Sequence, residues 1–492
     1  MRNTFLILLL SITALTGTAT PALGTNRRAD INHDNELDVG DVNTLLDEIL
    51  SPSASSPMLD INEDGAVDVG DVNIILELIL NPEPYYNPAE YISGTLPVMH
   101  IDTEGFHTID SKEHYWQATY WLDPMGQPGV APIGDETHPL PLQIKGRGNA
   151  SWRDHTKKPY RMKFDKKASP LGLPSSKHFL LLPRADEASL MLDEFGFEIG
   201  RRINLGYTPR QLPVELVLNG DYVGVYFICE KIRVDKNRVD ITEQKDGETA
   251  ADAITGGWLF EIENYWYDAT FSIPERESNT LFITTHTPEV LSDEQLNYIK
   301  TLLLKMIDAV YTEDKTDETW QNYIDIESLA KFYIIQEMMD NVESFSGSCF
   351  MYKDHGDDTK IKFGPLWDLS MALYRERTGG VVDKPFYDVS ESELLSSFCN
   401  NHFIPEIVKF PSFQAKVREI WNGFYSEQFM SSLGEYINAY SMRFREAGAS
   451  DIRRWHPTWS NHYIYSDNAK KDFSRLEERC RWLDSQWNEN HD

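Results

Sequence analysis

Basic side chains are scarce in this chain. Against 78 Asp and Glu stand only 46 Lys and Arg, a formal net charge of −32 over 492 residues. That balance opposes nucleic-acid binding, which needs a basic footprint to displace counterions. Cysteine is sparse as well, with four residues at 229, 349, 399 and 480 and no Cys-x-x-Cys pair. This excludes a disulfide scaffold and a Cys-based zinc site; one or two bridges stay open, with no readable pairing. Long apolar runs are missing beyond the N-terminus, so no later segment is expected to span a bilayer. The one such run, Phe5 to Leu10, follows Arg2 and leads to small residues around Ala22, Leu23 and Gly24. It predicts a secretory signal peptide over residues 1–24, cleaved near Gly24, without a Cys for a lipid anchor. The mature chain is expected to be secreted or held in the cell envelope.

What the sequence does contain is an acidic ladder written twice. Asp30, Asn32, Asp34, Asp38 and Asp41 stand at positions 1, 3, 5, 9 and 12 of one loop, and Asp60, Asn62, Asp64, Asp68 and Asp71 repeat them. Glu36 and Ala66 occupy position 7, where a backbone carbonyl serves, and Asn35 and Gly65 occupy position 6. A twelve-residue loop with this spacing wraps a hard cation in six or more oxygens. Position 6 needs a left-handed backbone, which Gly adopts freely and Asn tolerates. A short amphipathic helix follows each loop, through Leu50 and Leu80. Two calcium sites are the expectation. The pair, over residues 29–82, resembles a dockerin module, which implies docking to a cohesin-like extracellular partner. A calcium-stabilised knob without such a partner is the alternative.

Beyond the module the period of the apolar residues changes. Residues from about 92 to 280 read mainly as strands: 96–101, 142–146 and 160–164, then 214–218 and 222–228 joined by Asn219-Gly220-Asp221, whose Asn-Gly step suits a hairpin turn. Leu190, Leu192, Phe195, Phe197 and Ile199 carry helical spacing between them. From about 290 the pattern turns helical (293–306, 326–339, 405–450 and 468–490), interrupted by strand-like 349–353 and 362–368. Strands first and helices later predict an α+β, bilobal arrangement with a cleft between the lobes as the expected site.

Two segments carry candidate chemistry. Lys145-Gly146-Arg147-Gly148-Asn149-Ala150-Ser151-Trp152 is a glycine-punctuated basic turn after a strand, followed by the basic run Lys157-Lys158-Pro159-Tyr160-Arg161-Met162-Lys163. Such groups can meet phosphate; a lysine-protected edge strand is the plainer reading of the run. Downstream, Asp368 follows a strand and the Gly364-Pro365 break. Magnesium prefers one or two carboxylates plus phosphate oxygens, so Asp368 is a candidate metal ligand, with a capping role as the alternative. The acidic, aromatic stretch 261–268 could line an acceptor groove, but an exposed strand end is the favoured reading.

Together with Asn219 to Tyr226 running to Glu230, Asp235 to Val239, Gly256-Gly257-Trp258 to Glu261, and Phe363 to Asp368, these segments resemble the spore-coat protein H (CotH) kinase family, an atypical branch of the protein-kinase-like fold. The resemblance covers residues 95–490. It implies ATP with Mg2+ or Mn2+, Arg147 and Lys158 (or Lys163) on the phosphates, Glu230 near the nucleotide, and Asp368 as the metal-binding Asp. It also implies phosphoryl transfer to Ser or Thr of a protein substrate. The chain departs from the family pattern at Glu343, where an Asp is expected, at Ser348, where an Asn is expected, and at Ser370. Asp340 lies close enough to replace Glu343. These departures favour a second reading, a catalytically degenerate scaffold. A third, a carbohydrate-active enzyme, rests on 12 Trp and the dockerin-like company.

Overall fold

The computed structural model describes residues 24–32, 34, 36–51, 59–62, 64–81, 85–185, 187–276, 279–373, 402–458 and 463–488. Residues 1–23 of the expected signal peptide, Asn35 and Cys399 lie outside them. The chain is α+β. It divides into two compact units, one of Met1–Pro183, Leu212–Ile228 and Arg443–His462, the other of Arg184–Gln211, Cys229–Met442 and Tyr463–Asp492.

The first unit opens with helices α1 (Val39–Leu50) and α2 (Val69–Leu80). Each begins three residues earlier than its apolar pattern suggests, because Asp38 and Asp68 act as N-caps and form capping boxes with Asp41 and Asp71. Leu45 and Ile75 are fully buried between the helices with Leu37, Val42 and Val72.

A closed barrel follows, with strands β1 (Val98–Thr103), β2 (Trp116–Asp123), β3 (Leu140–Gly146), β4 (Tyr160–Ala168), β5 (Ser176–Leu182), β6 (Gln211–Leu218) and β7 (Asp221–Glu230) in the order 1-2-3-4-5-7-6. Parallel pairing of β1 with β6 closes it. Ile144, Met162, Phe179, Leu216 and Tyr226 fill its interior. The β6–β7 turn takes positive φ at Asn219 (53°) and Gly220 (81°), as the Asn-Gly step requires. The basic run is no edge strand, since β4 pairs with both β3 and β5. Alternation sends Tyr160, Met162 and Phe164 inward and Arg161 and Lys163 outward.

The second unit is not purely helical after its one early helix, α3 (Leu192–Arg202). Strands β8 (Trp258–Ile262), β9 (Phe271–Pro274) and β10 (Thr280–Thr287) join β11 (Cys349–Lys353) and β12 (Lys362–Phe363) in an antiparallel sheet ordered 12-11-8-10-9. Sequence order groups β8–β10 with the barrel strands; pairing of β8 with the distant β11 draws them into a separate sheet. Helices α4 (Asp293–Val310), α5 (Ile326–Met338), α6 (Pro411–Phe424), α7 (Glu427–Met442) and α9 (Tyr465–Trp487) complete this unit, while α8 (Arg445–Trp455) belongs to the barrel unit. No helix among the described residues is long and apolar enough to cross a membrane. Cys229, Cys349 and Cys480 are buried free thiols.

Candidate nucleotide and metal sites

In the barrel unit, β3 ends at Gly146, against which the Trp152 ring packs so closely that a Cβ there would overlap it. Gly148 then turns with φ +86°. The glycines are thus explained by a tight turn around Trp152 and Ser151 (their local need), before any ligand is invoked. Arg147 is half-buried, with its backbone N–H donating to Pro159 O at 3.1 Å. Lys158 is half-buried, its ammonium donating to Trp152 O at 2.5 Å and lying 5.4 Å from the Trp152 ring. Lys163 is exposed on the outer face of β4.

The lysine that sequence reading passed over is Lys157. It is buried, donating to Asp451 Oδ1 at 2.6 Å and to Val225 O at 2.7 Å. Burial pulls its pKa down, opposed by the Asp451 charge. Asp451 Oδ1 also accepts the Val225 N–H at 2.8 Å, over Gly224 at φ +107°, where a Cβ would strike the carboxylate. Nothing in the spacing links residues 157 and 451; only the fold does.

In the second unit, Glu230 at the end of β7 is fully buried. Its carboxylate lies 3.3 Å from Arg238 Nη1 and 3.7 Å from Arg210 Nη1, and accepts from the Arg210 N–H at 3.0 Å and the Tyr207 hydroxyl at 3.3 Å. Burial raises its pKa and Arg238 opposes the rise. This bonding makes Glu230 an organiser of the strand end.

Asp368 is exposed, with φ +55°, on a segment lodged against α3. The next residue, Leu369, donates its N–H to Asp193 Oδ1 at 2.8 Å, and Arg184 forms an ion pair with Asp193 Oδ2. Gly196 and Gly200 leave room for Leu369 and Leu366, and the Trp367 ring stacks on Phe197 at 6.4 Å. Further on, Leu373 N–H donates to Met339 O at 2.7 Å, tying this segment to the turn that carries Asp340 and Glu343. Asp340 is buried with φ +44°, and Glu343 Oε1 accepts from Asn264 Nδ2 at 2.6 Å. The structure therefore brings the Asp368 and Asp340 segments together by a main-chain bond. Sequence reading missed Asp193, Gly196 and Gly200; their i, i+3, i+7 spacing on one helix face was the available signal.

Beside Asn264, burial and the Glu261 charge push Glu263 up to about 8. Glu261 pairs with His286 at 2.8 Å, and His286 stacks on Phe350.

The two N-terminal loops share one bonding pattern. Asp41 Oδ1 accepts from Ile31 N and Asn32 N (2.7 and 3.2 Å) and its Oδ2 from Asp38 N (2.9 Å); Asp71 repeats this with Ile61, Asn62 and Asp68 (2.6, 3.0 and 2.8 Å). Asp34 N donates to Asp30 and Asp64 N to Asp60 (3.1 and 3.2 Å), and Gly65 takes φ +90°. Donor type and loop closure suit calcium. Among the described residues, however, no three acidic, His or Cys side chains converge into a cation cage.

No curated protein matches the chain. A family model described as CotH kinase protein matches residues 143–483, more than half of the sequence, spanning the glycine turn, Lys157, Asp193 and Asp368. The chain belongs to the CotH kinase protein family.

Proposed function

We propose that this CotH-family chain is an exported, bilobal kinase-like protein that transfers the γ-phosphoryl group of ATP to Ser or Thr of a protein partner. The observation that carries this reading is Asp368, an exposed carboxylate on a left-handed residue whose neighbours are fixed by α3. Such placement fits a magnesium or manganese ligand, which must stay accessible to phosphate oxygens while held in place. The ion, when bound, neutralises charge on the transferring phosphoryl group. In the barrel unit, Arg147 and Lys158 are the phosphate-binding candidates. In the second unit, Asp340 or Glu343 would orient the acceptor hydroxyl.

Two observations favour the scaffold reading. Glu343 Oε1 is already bonded to Asn264, and Ser348 replaces the Asn of the family pattern. Phosphoryl transfer from labelled ATP with Mg2+ or Mn2+, run beside Asp368→Ala, decides between them. Label on protein that vanishes in the variant supports the kinase. No label and no nucleotide binding by calorimetry supports the scaffold.

The helix pair is proposed to be a dockerin-like module binding two calcium ions, with a cohesin-like partner. A core as small as Leu45, Ile75 and their neighbours gives marginal stability unless a metal or partner adds to it. Calcium titration of the full chain by calorimetry tests it; no binding would remove this part of the proposal.

A further inference from the structure

Asp193 lies in the first turn of α3, where an acidic residue ordinarily faces the free N–H groups and the positive end of the helix dipole. Glu187 Oε2 takes the Leu192 N–H at 2.8 Å instead, and Asp193, only 1 % exposed, spends one oxygen on Leu369 N–H and the other on Arg184. A buried carboxylate is costly unless paired and hydrogen-bonded, and its one hydrogen bond and its ion pair both reach outside its own helix. One of them ends on the peptide unit that joins Asp368 to Leu369.

Asp368 itself needs such an anchor. A non-glycine residue at φ +55° persists only where its surroundings over-determine it. On the same face of α3, Gly196 and Gly200 form notches for the side chains on either side of Asp368. A Cβ at Gly196 would overlap Leu369, and one at Gly200 would come within 2.9 Å of Leu366 Cδ1. Two notches and one carboxylate thus fix the segment at Leu366 and Leu369, leaving Asp368 outward between them.

We propose that Asp193, held by Arg184, is the positioning residue for Asp368, orienting its carboxylate for the divalent cation that accompanies nucleotide. The inference rests on the reading of Asp368 as a metal ligand, and it assigns the orienting role to α3 and not to the Asp340 turn.

The test is calorimetric ATP binding to the full chain, with and without Mn2+, for wild type, Asp193→Ala, Asp193→Asn, Gly196→Ala and Asp368→Ala. Removing a group that orients a metal ligand typically costs about 10- to 100-fold in metal affinity. Asp193→Ala is therefore expected to lose at least about tenfold of the Mn2+-dependent gain in affinity. Its metal-free affinity should stay within about twofold, as for an independent site. Asp193→Asn should retain the gain, because its amide oxygen still accepts from Leu369. A purely structural role would lower both affinities together or neither. Full Mn2+ enhancement in Asp193→Ala, with loss in Asp368→Ala, overturns the proposal while leaving the metal reading intact. Enhancement that survives Asp368→Ala, or is missing from wild type, overturns the metal reading and the positioning role with it. Should Asp193→Ala fail to fold, Gly196→Ala displaces Leu369 without altering charge, and unchanged enhancement there overturns the proposal equally.

Discussion

Arg479 grips both the side chain and the main chain of Glu337. Its Nη2 donates to Glu337 Oε2 at 2.5 Å and its Nε to Glu337 O at 2.9 Å, with neither side chain more than 1 % exposed. Tyr333 adds a hydroxyl donor to Oε1 at 2.8 Å. Glu337 is in the last turn of α5, so the clamp fixes the helix end from which the Asp340 turn departs. Arg479→Met should cost about 3–5 kcal/mol, because it strands a buried carboxylate. Arg479→Lys should recover only part of that, since a single ammonium cannot serve both oxygens in the same geometry. Chemical denaturation checks this; a loss under about 1 kcal/mol would show that the pair does not anchor the turn.

Neighbouring lysines 157 and 158 should behave oppositely. Lys157→Met leaves Asp451 buried without its charge partner and is expected to cost about 3–5 kcal/mol. Lys158→Ala removes a half-buried ammonium resting on Trp152, and should change stability by no more than about 1 kcal/mol. If Lys158 binds phosphate, that variant loses ATP affinity at nearly unchanged melting temperature. Unchanged affinity would move the phosphate-binding role elsewhere.

Glu263 predicts a pH dependence. Its folded-state pKa of about 8 lies above the ordinary carboxyl value of 4.5, raised first by burial and then by Glu261. Between those values the native chain holds a proton that the unfolded chain has released. Stability from this group is therefore greatest below the lower value and falls as pH rises toward the upper one. The full loss is bounded by about 5 kcal/mol, at about 1.36 kcal/mol per unit. Glu263→Gln cannot ionise, so its stability should fall less steeply across the same range. Urea titrations of both proteins at pH 5 and pH 8 (two points suffice) measure the difference in slope; equal slopes would contradict the assignment.

Elements with a strong local signal are legible in the sequence. The β6–β7 hairpin declares itself through Asn219-Gly220, and α3 through its apolar spacing. The partition of the strands was not legible, because β8 finds its partner β11 far along the chain and no periodicity encodes that choice. The same limit applies to the sites. Asp368 could be singled out from its own neighbourhood, while Asp193 and Arg479 act on residues roughly 140 to 180 positions distant. Side chains that position other side chains leave little trace in local pattern.

In the N-terminal loops, two aspartates should separate capping from calcium binding. Asp68 Oδ1 accepts the Gly70 N–H at 2.6 Å, so Asp68→Ala removes a helix cap worth about 1 kcal/mol whether or not calcium is present. Asp60 caps no helix; Asp60→Ala should lose calcium affinity with a much smaller effect on helicity in chelator. Circular dichroism with calcium and with EGTA, beside calorimetry, distinguishes the two. Identical behaviour of both variants in EGTA would refute the separation.

The ion pair of Lys157 with Asp451 joins residues 294 positions apart. A ribosome delivers Lys157 long before the residue that neutralises it. Until α8 is made, all seven barrel strands exist as polypeptide, yet the lysine meant for the barrel wall has no counter-charge. A barrel closed without Asp451 would bury that lysine unpaired, at a cost of about 3–5 kcal/mol.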